Sequence, residues 1–214
     1  MGPPNSKQSS AYVPPQTEGN STLLGGGVLP AADVRGDLNR TPATSMELRF
    51  RHVLLDDNKR DTGFDHAYIV VTDNRTHEQS IHQAGPFGGN GAYGFPYALG
   101  RIAATTSKYD QESRGYGQPY RQVAVFNTDT PAEDVLRSLN AYGDAVNKQA
   151  IPYTLPDVRM PFVGRPKNPW FPTPNSNLYG GAAWQFLTGS LPELPDGVDA
   201  PGWGDHRLPR SPLK

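Results

Sequence analysis

Two runs of β-forming residues joined by a polar turn constrain this chain more than anything else in it. Asp65-His66-Ala67-Tyr68-Ile69-Val70-Val71 is rich in β-branched and aromatic residues, Thr72-Asp73-Asn74-Arg75-Thr76 is a turn sequence, and Gln79-Ser80-Ile81-His82-Gln83-Ala84 returns. The pattern predicts a β-hairpin with one histidine on each strand. Upstream, Glu47 to Leu55 alternates and then turns apolar, as a strand does on entering a sheet, and Gln122-Val123-Ala124-Val125-Phe126 supplies a further strand. Between them, Gly85 to Pro119 is rich in glycine and tyrosine around one short apolar patch at Arg101 to Ala104. It reads as a long loop with room for one strand.

Helical signals follow the strands. Thr130-Pro131-Ala132-Glu133 has the form of a capping box with proline at the first helical position. Val135, Leu136, Leu139, Tyr142 and Val146 then recur at helical spacing, and the helix stops before Ile151-Pro152. A second helix is expected from Asn177 to Thr188, with Gly189 placed to end it. Strands followed by helices is α+β order, so the expected architecture is an antiparallel sheet packed against two or more helices.

With 214 residues, 36% of them hydrophobic, the chain can build one sizeable core. Gly 23 and Pro 22 together make about a fifth of the sequence, so turns and irregular connections take much of its length. The expected domain spans residues 46–190, preceded by a flexible or surface-wrapping arm, 1–45, and followed by a Pro/Gly-rich tail, 191–214. Six prolines between Pro156 and Pro174 mark a connector into the second helix. A formal net charge of -1 and the lack of any Lys/Arg run argue against nucleic-acid binding. The absence of cysteine removes disulfides, thiolate catalysis and Cys-based zinc sites. Met1 to Glu18 carries no apolar core of signal-peptide length and no stretch is long enough for a membrane helix, so a soluble chain is expected, cytoplasmic or exported by a route that reads no classical signal.

The element order, with a His-bearing strand, a second strand carrying Ile81-His82, a further strand, a helix, and then a helix opening with Asn175-Ser176-Asn177, resembles the circularly permuted papain-like superfamily. Its members include lecithin-retinol acyltransferase-like and permuted NlpC/P60 proteins. The resemblance covers roughly residues 46–190 and implies Ser176 at the nucleophile position, His66 as base and His82 as the group orienting that base. It departs from those families in having serine for the usual cysteine, a long hairpin turn and a Pro-rich connector.

The implied chemistry is coherent. A serine hydroxyl attacks once a base takes its proton, and a histidine near its ordinary pKa of about 6.5 can do so close to neutrality. The tautomer of the base needs a partner: His82, with Gln79 and Asp65 as competitors. Backbone N–H groups at the helix start, helped by Asn175 or Asn177, would hold an oxyanion.

Each of these residues also has a plainer reading. Asn-Ser-Asn before an apolar run is commonly a helix cap. His66, His77 and His82 could converge on zinc instead. Trp170, Trp184 and Trp203 suit core filling better than ligand stacking. Gly85-Pro86-Phe87-Gly88-Gly89 lacks the following Lys-Ser/Thr of a phosphate loop, and no cofactor is implied.

Two functions follow as expectations. One is a serine-dependent hydrolase, an amidase, peptidase or lipid esterase, acting on a peptide, peptidoglycan or lipid substrate as a delivered bacterial effector. The other is a non-catalytic structural or binding domain on the same fold, serving a larger assembly through the N-terminal arm.

Overall fold

A computed structural model describes residues 28–32, 41–55, 60–88, 98–109, 119–154, 175–204 and 208. The Pro156–Pro174 connector with Trp170, and most of the arm, lie outside the described residues. The elements in chain order are β1 (Thr44–Leu55), β2 (Arg60–Asp73), β3 (Gln79–Gly88), β4 (Ala98–Lys108), β5 (Tyr120–Thr128), α1 (Ala132–Lys148), the three-residue β6 (Pro152–Thr154) and α2 (Ser176–Thr188). The strands form one antiparallel sheet in the order β5-β1-β2-β3-β4-β6. This is the α+β arrangement expected from the sequence. The strands run past the apolar segments, but β2 and β3 pair with each other over four positions, from Thr72 opposite Gln79 to Ile69 opposite His82.

The expected long loop after Gly85 holds substantial structure. β3 continues to Gly88, and β4 is an eleven-residue strand that pairs with it from Ser80 opposite Lys108 to Gly88 opposite Gly100. Its Ala-Ala-Thr-Thr-Ser composition gives little hydrophobic alternation, so the pairing partner decides its state more than its own propensity.

Both helices cover one face of the sheet, α1 over β4 and α2 over β2. Met46, Leu48 and Phe50 from β1 and Ala67, Ile69 and Val71 from β2 meet Val135, Leu139, Tyr142 and Val146 of α1 and Leu178, Tyr179, Ala183 and Leu187 of α2 in one core. α1 is a two-sided helix with its buried residues at four-three-four spacing. α2 is buried almost all round, because residues 190–204 cover the side that faces away from the sheet. Gly180 is what lets it settle so low. A Cβ there would stand 2.8 Å from the Ala67 Cβ, so no side chain fits between helix and strand.

The ends of the helices are made differently. Pro131 stands at the N-cap of α1 with no side-chain cap, so the capping box is not formed; the Thr130 carbonyl accepts from Thr44 Oγ1 and its hydroxyl lies 3.1 Å from Thr128 Oγ1. α2 ends as expected, on Gly189 in the left-handed region at φ 77°.

Segments outside the expected 46–190 domain pack onto it. Val28–Ala32 bridges α2 and β5: Leu29 N–H donates to Leu187 O, Ala32 N–H to Asn127 O, and Thr128 Oγ1 to Pro30 O. Ala200 and Leu208 join the core. Trp203 packs edge-on to Phe50 at 5.1 Å and donates its indole N–H to Pro192 O, a packing role of the kind its sequence setting suggested. No helix among the described residues is long and apolar enough to cross a membrane.

Candidate functional site

Asn175-Ser176-Asn177 sits at the start of α2, buried on all three residues. Asn175 is the N-cap. Its Oδ1 accepts from the backbone N–H groups of Asn177 and Leu178, and its Nδ2 donates to Pro201 O. Asn177 reaches the sheet instead: Oδ1 accepts from Ala67 N–H at 2.8 Å, and Nδ2 donates to Asp65 O at 2.8 Å. The two amides expected to hold an oxyanion are thereby committed, one to the helix end and one to the backbone of β2. A free backbone group on a central strand is costly, and Asn177 satisfies both a donor and an acceptor there.

Ser176 lies between them. Among the described residues its hydroxyl has one partner, the Tyr153 O–H, which donates to Oγ across 3.4 Å. Among the described residues no imidazole or carboxylate hydrogen-bonds it.

The two histidines of the hairpin are placed on opposite faces of the sheet, which corrects the expectation that they share one. On β2, Ala67, Ile69 and Val71 point into the helix-covered core, so His66, Tyr68 and Val70 point the other way. His66 Nε2 donates to Gln83 Oε1 at 3.0 Å, and its ring stacks at 6.5 Å from Tyr68. Gln83, one residue beyond His82, is the partner sequence reasoning passed over. Burial, aided by the nearby Arg51 guanidinium and partly offset by the Gln83 bond, lowers the His66 pKa to about 4. His66 therefore projects from the face opposite α2, and the structure does not bring it to Ser176.

His82 does face the helices, fully buried. Its Nδ1 lies 2.7 Å from Thr106 Oγ1 and its Nε2 lies 2.6 Å from the Tyr179 hydroxyl. Thr106 gives its own proton to Asn140 Oδ1 at 2.6 Å. Thr106 can then only accept from the ring, so His82 carries its proton on Nδ1 and takes one from Tyr179 on Nε2. Burial lowers its pKa to about 4, leaving it neutral at pH 7. His82 orients no second imidazole; it links β3 to β4, α1 and α2.

The competing orienting groups are also occupied elsewhere. Asp65, buried on the α2 side, receives Asp199 N–H on Oδ2 and faces His52 Nδ1 at 3.2 Å from Oδ1. Gln79 donates to Thr72 Oγ1 near the turn. The three histidines weighed as a zinc site do not converge: His77 lies in the turn at φ 61°, and His66 and His82 are separated by the sheet. Among the described residues no group of three or more His, Cys, Asp or Glu side chains could hold a metal ion.

The outer face also holds Arg49, which pairs with Glu47 at 2.9 Å and lies between the rings of Tyr120 and Tyr109, 4.2 and 5.9 Å from their centres. These tyrosines flank the 110–119 connection, so one guanidinium ties both of its ends to β1.

No protein-family model matches the sequence, and no curated protein matches it.

Proposed function

We propose that this is a non-catalytic structural or binding domain in which Asn175-Ser176-Asn177 is the joint seating α2 on β2. The observation that carries this reading is the direction of His66: the imidazole expected as base hydrogen-bonds Gln83 on the face of the sheet away from α2, while Ser176 has Tyr153 as its partner. A serine hydroxyl with no base in reach is a weak nucleophile. Both neighbouring asparagines are engaged in backbone bonds that a substrate would have to displace. On this reading the likeness to permuted papain-like proteins is one of architecture. The domain has the helix start where those families carry cysteine, with the expected base His66 turned to the far face of the sheet, and serves a larger assembly.

The test is labelling with a fluorophosphonate probe of activated serines. The expected result is no modification of Ser176 at pH 7 to 8. Stoichiometric labelling lost in both Ser176→Ala and His66→Ala would overturn the proposal in favour of a serine-dependent hydrolase.

A further inference from the structure

The chain of hydrogen bonds through His82 crosses the molecule from surface to core. Asn140 on α1 is exposed; Thr106 on β4, His82 on β3 and Tyr179 on α2 follow inward, each joined to the next by a contact of 2.6 or 2.7 Å. α2 contributes one group to this chain, Tyr179, and its other anchors to the sheet lie at its first turn.

We propose that His82 is an acid-operated latch: its neutral ring holds α2 on the sheet through Tyr179, and proton uptake favours a locally opened form in which α2 has lifted and the ring meets water. In the closed form Nε2 accepts the Tyr179 proton; a proton arriving there forces the phenol to turn and accept instead, which leaves its own hydrogen without this acceptor and an added charge on a buried ring. The titratable groups around the ring are Tyr179 from α2 and Tyr142 from α1, whose rings lie 5.7 Å apart, and Asp144 from α1, whose field acts on Tyr179. Among the described residues none of these offers a carboxylate to the ring, so a charged His82 in the closed form has no compensating partner. With a closed-form pKa of about 4 and an open-form value near 6.5, the opening constant rises on the order of 100-fold between pH 7.5 and 4.5. His66 takes no part in this movement. Its ring lies on the other face of the sheet, against Gln83 and Tyr68.

Hydrogen exchange tests the latch on the full chain. Amides of α2 from Tyr179 to Leu187, corrected for intrinsic exchange rates, should open on the order of 100-fold more at pH 4.5 than at pH 7.5, ahead of the β1 and β2 amides. His82→Gln should flatten that dependence and His66→Gln should leave it in place. If His82→Gln does not fold, wild type and His66→Gln decide alone. An α2 opening constant that stays flat with pH in wild type, or that rises only together with β1 and β2, overturns the proposal.

Discussion

His66 and His82 stand on adjacent strands of one sheet, both neutral at pH 7, and the sheet between them divides their roles. His82 is enclosed by two helices and joins four elements through its two ring nitrogens. His66 is half-buried on the outer face and joins two strands through one nitrogen. A histidine's chemistry on a strand is set by parity. One residue of register separates an imidazole that could meet α2 from one that cannot.

Acid should act on both rings, with the largest effect expected of any change. Each histidine has a folded pKa of about 4, below its unfolded value of 6.5, so the unfolded chain binds protons that the folded one refuses. Stability from these groups is complete above pH 6.5, falls as pH drops, and levels off below about 4. Denaturant unfolding should lose about 5 kcal/mol between pH 7.5 and 4.5 from the pair together. His66→Gln and His82→Gln should each remove about half of that slope. A variant that leaves the slope intact would show that its ring is not desolvated in the folded chain.

Asn177→Ala should come next, costing about 3 kcal/mol at pH 7.5, since it leaves a buried donor at Ala67 and an acceptor at Asp65 on a central strand. Thermal or denaturant unfolding checks it. A cost below about 1 kcal/mol, the scale of an ordinary cap, would mean that the joint is only a helix end.

The two core tyrosines should differ by a smaller amount. Tyr179→Phe removes the hydroxyl that His82 accepts from and should cost about 1 to 2 kcal/mol. Tyr142→Phe should be neutral or slightly stabilising, because its buried hydroxyl has no hydrogen-bond partner among the described residues. Equal effects in unfolding experiments would contradict the assignment of the His82 chain as the structural bond.

Much of the fold was legible. The hairpin, both helices and the glycine end of α2 follow from turn residues, spacing and a positive-φ position. The orientation of His66 was not legible, because both sides of β2 are apolar: Ala67-Ile69-Val71 on one face and Tyr68-Val70 on the other. Alternation alone could not say which set faces the helices. The small residues carried the missing signal, since Ala67 opposite Gly180 marks where helix and strand approach closely. Val28–Ala32 and Trp203 were read as arm and tail because Pro/Gly composition reports turns without saying what they wrap around. Their docking rests on backbone bonds to Leu187 and Asn127 and on one indole against Phe50.

A thiol at position 176 reports directly on the separation of His66 from Ser176. In Ser176→Cys, the rate of alkylation by iodoacetamide should be no faster than that of a free cysteine and unchanged by adding His66→Gln, because the ring on the far face cannot draw off the thiol proton. A thiol alkylated at least 10-fold faster than free cysteine at pH 7, with that excess lost on His66→Gln, would place the imidazole beside residue 176 and contradict the account.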